Sequence, residues 1–190
     1  FVRDRSFGVL AANGSDGPLI SHVPFLLNEA GDQADLHLVR SNPIARALKS
    51  ALPVKLAISG GDSYVSPDWY DIDDQVPTWN YVAVHLTGTL ELRPQEELLD
   101  LLDRQSAWFE DRLLPKPPWT TAKMNPVTLQ KMMRMIVPCR MRITGVDGTW
   151  KLSQNKPDAV RLAAADGVEA HGFGAGTGSL ADQMRAAKGA

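Results

Sequence analysis

Apolar and polar positions alternate with a period of two through most of the first half of the chain, the signature of half-buried strands. "FGVLAA" runs into the turn chemistry of "NGSDG", and "PLISHVPFLL" resumes the extended pattern, so a hairpin is predicted there. After "NEAGD", Leu36 and Leu38 alternate with Asp35 and His37 in "ADLHLV", and "VKLAI" supplies a fourth strand. A fifth follows in "YVAVHLTGTLEL", with Val82, Val84 and Leu86 on one face. The period then changes to that of a helix. Leu98, Leu101, Leu102, Gln105, Phe109 and Leu113 recur at three- and four-residue spacing in "QEELLDLLDRQSAWFEDRLL". "NPVTLQKMMRMI" opens with Asn125 as N-cap and Pro126 at the first helical position. "VPCRMRITGVDGTWKL" returns to strand, with a turn expected at Asp147-Gly148, and "PDAVRLAAA" reads as a short helix. Antiparallel strands followed by helices predict a mainly β barrel with helices packed outside. The pattern assigns the barrel and its helices to residues 1–168 and a Gly-rich tail with a short helix to 169–190.

Composition narrows the class without selecting a function. With 190 residues, 22% charged, 44% apolar and a net charge of -2, the chain has no overall attraction for phosphate backbones or acidic membranes. A single cysteine, Cys139, excludes an internal disulfide and suits a reducing cytoplasm. No apolar run approaches the ~20 residues that cross a bilayer, and "FVRDRSFGVL" lacks the apolar core of a signal peptide.

"SPDWYDIDDQVPTWNY" concentrates Trp69, Tyr70, Trp79 and Tyr81 beside two prolines, in a chain with only 7% aromatic residues. Any one ring fits core packing. The set, at a loop between strands, fits the mouth of a barrel and a flat ligand. Together with "HVPFLL", "LHLVRSNP" and "WKLSQNKP", the motifs "SPDWY" and "VPTWNY" occur in an order that resembles the PaiB family, the FMN-binding negative transcriptional regulators, from about Phe7 to about Pro157. The resemblance implies an antiparallel split β-barrel of the pyridoxamine-phosphate-oxidase type with flanking helices, a homodimer, and FMN held at the subunit interface.

FMN needs cations and N–H donors at its phosphate, a slot for its ring and hydrogen bonds at the ring edge. With the resemblance, Arg40, Ser41 and Asn42 of "RSNP" are the phosphate candidates, at the start of a helix in "IARALKS". Ser59, Gly60 and Ser66 allow close backbone approach and equally fit turn positions. Thr78, Trp79 and Asn80 are assigned to the slot by resemblance. Lys151, Gln154 and Asn155 of "KLSQN" are expected to complete the site of a partner subunit, as late segments do in split-barrel flavoproteins. The short acidic "DIDDQ" departs from the longer lysine- and histidine-containing loop usual in relatives, and it disfavours anions placed against it.

No metal site is expected, since His22, His37, His85 and Cys139 lack zinc-like spacing. "GFGAGTG" lacks the strand context and the Lys-Ser/Thr ending of a phosphate loop and reads as a connection to a terminal helix. Three functions follow from the resemblance and its fold: a DNA-binding regulator, although no helix-turn-helix signature is present; a flavin-dependent oxidoreductase or flavin reductase; and a haem-binding protein on the same barrel. The one basic cluster is Lys131, Arg134, Arg140 and Arg142.

Overall fold

A computed structural model describes residues 1–188. After a single helical turn, α1 (Val2–Arg5), come β1 (Phe7–Gly14), β2 (Gly17–Leu27) and β3 (Gln33–Val39). Next are α2 (Pro43–Ala47), β4 (Leu52–Val65) and β5 (Thr78–Leu92). The chain continues through α3 (Leu98–Glu110), α4 (Pro126–Met133), β6 (Ile136–Lys151), α5 (Asp158–His171) and α6 (Thr177–Ala186). The six strands close a barrel in the order β1-β2-β3-β6-β5-β4. Antiparallel register pairs Leu10 with Ser21, Phe25 with Leu36, and Leu36 with Cys139. Among the described residues, no helix is long and apolar enough to cross a membrane.

Contacts divide the chain into two compact units, residues 1–57 with 85–146 and residues 58–84 with the chain from Asp147 onward. In the first, the inward side chains Leu10, Phe25, Leu36, Leu56, Leu90 and Met141 are fully buried. Asp35 anchors its polar side: Arg140 Nε donates to Oδ1 at 2.6 Å, and Arg104 Nη2 donates to Oδ2 at 3.2 Å. Burial alone would raise the pKa of Asp35, but the hydrogen bonds and charges of the two arginines hold it below the usual carboxylate range. Arg140 is thereby removed from the basic cluster that the sequence suggests.

His37 faces Gln105 in this unit, and its Nδ1 is buried without a partner. Burial pushes the imidazole pKa below its ordinary 6.5, with the Gln105 contact offsetting only part of that. The unfolded chain therefore binds the proton more tightly, so stability is complete above about pH 6.5 and is lost as pH falls through the folded value. Urea midpoints are expected to drop between about pH 7.5 and 5.5, and His37→Leu to flatten that slope; an unchanged slope would remove His37 from the account.

Two local features depart from the sequence reading. β6 runs extended straight through Asp147-Gly148, without the expected turn. Gly148 does not take the positive φ that a tight hairpin turn requires, and the residues after it continue the strand. In β4 the buried positions change phase, from Val54, Leu56 and Ile58 to Ser63 and Val65. The change falls around Gly60-Gly61, close to where β4 passes from the first unit into the second.

The second unit packs Val65, Tyr70 and Val82 with Leu152, Val168, Leu180 and Met184, so α5 and α6 supply much of its core. Trp69 lies against α5 at Gly167, where a Cβ would meet the indole Cγ at 2.5 Å. Arg161, almost fully buried, donates from Nε to the Met184 carbonyl at 2.8 Å and ties α5 to α6.

Candidate functional site

The "VPTWNY" and "KLSQN" motifs meet in the second unit. Ser153 is buried in the left-handed backbone region, at φ 61, where its Oγ lies 3.1 Å from the Tyr70 hydroxyl and accepts from Asn80 Nδ2 at 2.9 Å. Lys151 Nζ donates to Thr78 Oγ1 at 2.6 Å. Gln154 braces the turn, accepting from the Leu152 N–H at 2.8 Å and donating to the Trp150 carbonyl at 2.6 Å. Asn155 remains exposed. One strand end and one turn are thus locked together, with a cation and a hydroxyl at the surface.

Strand alternation separates the slot residues. Asn80 points inward, 1% exposed, with its Oδ1 buried and unpartnered, whereas Trp79 points outward and keeps 44% of its surface exposed. Tyr64 of neighbouring β4 shares the outward side, its ring 6.3 Å from that of Trp79 at 75°. Phe173, from the loop between α5 and α6, stacks on Tyr64 at 5.6 Å and 17°, and meets Trp79 edge to face at 5.7 Å and 89°. Tyr64 and Phe173 are not singled out by the sequence, and Ser153 enters it only as one of the polar residues of "KLSQN". Tyr64 was within reach of the same alternation, two residues before Ser66. Phe173 sits in a glycine-rich loop whose position is set only by tertiary contacts.

Ser59 is exposed on β4 beside Gly60. Ser66 caps the short helical turn Pro67–Tyr70, accepting a long 3.4 Å contact from the Asp68 N–H. That turn leads into the acidic loop, where Asp68, Asp71, Asp73 and Asp74 line an open pocket of about 490 Å³. Asp71 and Asp74 take positive φ, which aspartate tolerates better than most residues. Lys156 closes the loop by donating to Gln75 and lies 5.2 Å from the centre of the Tyr70 ring. Among the described residues no group of His, Cys, Asp and Glu is arranged to hold a metal.

The "RSNP" residues belong to the first unit. Arg40 donates from Nε to the Arg134 carbonyl at 2.6 Å and from Nη2 to Gln95 Oε1 at 2.7 Å, which leaves Nη1 available. Ser41 is exposed. Asn42 is the N-cap of α2, accepting from the Ile44 N–H at 2.9 Å while its Nδ2 donates to Ser21 Oγ at 2.9 Å. With Pro43 lacking an N–H and Ile44 already capped, this one-turn helix has little left for an anion. Any phosphate contact here falls to Arg40 and Ser41.

Each unit carries groups of the kind a phosphorylated planar ligand needs: Arg40 and Ser41 in the first, and Lys151 and Thr78 near the flat apolar surface of Trp79 in the second. Cys139, buried on β6 with its thiol pushed up to about 12 by burial, offers no competing nucleophile.

Comparison with known proteins agrees. Residues 1–145 match the sequence model of the family described as "Putative FMN-binding domain". The chain is 28% identical over 158 residues to the protease synthase and sporulation protein PAI 2 of Bacillus subtilis, covering 82% of this chain and 75% of that one. Among solved structures, the FAD and haem binding protein from Mycobacterium smegmatis is 17% identical with a TM-score of 0.55, covering 91% of this chain and 76% of the other. A conserved hypothetical protein of Mycobacterium tuberculosis gives 18% and 0.56, over 83% and 84%. The structural likenesses carry the fold alone, a six-stranded antiparallel split barrel with flanking helices. The sequence match carries the family: the chain belongs to the PaiB-type FMN-binding domain family, and FMN is its cofactor.

Proposed function

We propose that this FMN-binding protein works as a cytoplasmic homodimer of the PaiB type, with a flavin site completed across the subunit interface and with negative regulation of transcription as its role. One observation carries the dimer. In β6 every residue from Val146 to Lys151 is exposed, on both faces of the strand. A strand exposed on both faces buries little apolar surface in the single chain, and a second copy laid against it would cover that surface. Val146 (67% exposed), Trp150 and Tyr81 give such an interface its apolar centre.

In this arrangement Trp79 would face the flavin ring, and Lys151 and Asn155 of the second copy would close the site, Lys151 as a cation for the phosphate; Arg40 and Ser41 are further phosphate candidates on the first unit. FMN supplies hydride and electron chemistry when bound. The chain's own part is to orient the ring, hold the phosphate and, through the acidic loop near Asp71, repel a second anion. Lys151→Ala is expected to weaken FMN about tenfold or more in a fluorescence titration, while riboflavin, which lacks the phosphate, is held as before. Equal affinity of the variant and the parent for FMN would remove Lys151 from the site.

The regulatory role rests on family resemblance, and a gel shift with salt titration tests it. The helix pair α5 and α6 does not suit direct DNA contact. It carries Asp158, Asp166, Glu169 and Asp182, and both of its arginines are paired, Arg161 with Asp158 and Arg185 with Asp166. Of the basic cluster that the sequence suggests, Lys131, Arg134 and Arg142 stay exposed on the first unit. The acidic surface of α5 and α6 favours a flavin-dependent oxidoreductase as the second reading, checked by NAD(P)H consumption with FMN present.

A further inference from the structure

The three rings of the second unit form a corner rather than a flat patch. Tyr64 backs Phe173 in a parallel stack, and Trp79 stands perpendicular to Phe173 at 89°. Phe173 is 62% exposed and Trp79 44%, so each keeps much of its surface open to solvent. A planar ring laid on one of these walls turns its edge to the other, which is the pairing aromatic quadrupoles favour.

The corner is rigidly mounted. The Asp62 N–H donates to the Ala175 carbonyl at 2.8 Å, and the Ala175 N–H returns to Asp62 Oδ1 at 3.2 Å. Gly172 donates to the Val168 carbonyl at 3.0 Å at the end of α5. Gly174 sits at φ +148, where a Cβ would strike the Asp62 carbonyl at 2.2 Å. The loop thus holds Phe173 against Tyr64 and Trp79 by fixed backbone contacts while 62% of the residue stays open to a ligand. Phe173 lies beyond residues 1–145, the stretch matched by the family's sequence model.

We propose that Phe173 and Trp79 form an aromatic corner that seats the tricyclic ring of the flavin, which makes the C-terminal loop part of the cofactor site. This rests on the reading above that the ring lies beside Trp79. Because Phe173 acts on the ring and not on the phosphate, its loss affects phosphorylated and unphosphorylated flavins alike. The preformed corner also lowers the ordering cost of binding.

The test is a fluorescence titration of FMN and of riboflavin against the full chain, with sedimentation of each variant. Phe173→Ala is expected to weaken both flavins by the same factor, about five- to tenfold, and Phe173→Tyr to bind as the parent does. Asp62→Ala, which removes one of the two Asp62–Ala175 hydrogen bonds but keeps the ring, is expected to weaken both flavins in the same direction and by less. If Phe173→Ala leaves both affinities unchanged while Trp79→Ala weakens them, the corner is not the seat and this inference fails alone. A Phe173→Ala effect confined to self-association also overturns it, making Phe173 a subunit contact. If the parent binds FMN and Trp79→Ala changes nothing, the ring lies elsewhere, and the placement proposed above fails with it.

Discussion

Val146→Glu is expected to convert the protein to single subunits and to strip it of most of its FMN, with little change in the stability of the subunit itself. Val146 is 67% exposed in the single chain, so the substitution there costs no more than about 0.5 kcal/mol. In a dimer packed on β6 the same carboxylate is buried without a partner, which costs several kcal/mol and weakens association by roughly a hundredfold or more. Flavin retention falls with it, because Lys151 and Asn155 of the second copy leave the site. Sedimentation velocity at several concentrations, with flavin absorbance followed in the same cell, reads both effects. A parent protein that sediments as single subunits while holding FMN at full strength would end the interface reading.

The second large effect concerns the wall of the barrel. Gly88 on β5 faces the β6 backbone so closely that a Cβ would lie 2.0 Å from the Arg142 carbonyl oxygen and 2.9 Å from its carbon. Neither strand can give way without losing ladder hydrogen bonds. Gly88→Ala is expected to cost at least about 3 kcal/mol, a large part of the 5–15 kcal/mol of a typical domain. Gly145→Ala is the control. Its Cβ would meet Thr87 Cβ at an ordinary 3.8 Å, and it is expected to fall within about 0.5 kcal/mol of the parent. Urea denaturation of the two variants separates a close backbone approach from a general dislike of side chains at these positions.

Much of the barrel was legible because its signal is local. Leu36 and Leu38, or Val82, Val84 and Leu86, alternate with polar neighbours, and they are buried as that pattern requires. The same rule separates Trp79 from Asn80, since consecutive strand residues face opposite ways. Asn125 was readable as a helix cap and accepts the expected backbone N–H, whereas Asn42, read as a phosphate candidate, uses its side-chain oxygen to cap α2. Asp147-Gly148 misled for the same local reason. The dipeptide favours a turn, but continuation of β6 overrides it, and no short window contains that information. The β4 phase change is similarly hidden, because Gly60-Gly61 reads as a turn whether or not a strand passes through it.

The sequence by itself determined the strand and helix periodicity, the ordered motifs that carry the family, and with them FMN. Only the tertiary structure brought Asp35 to Arg140, Ser153 to Tyr70 and Asn80, and Phe173 to Tyr64 and Trp79. Those partners are separated by roughly seventy to more than a hundred residues, and their meeting depends on how the barrel closes and how α5 and α6 dock. Periodicity reports which way a side chain points along its own segment. It carries no information on which distant segment will be there to meet it.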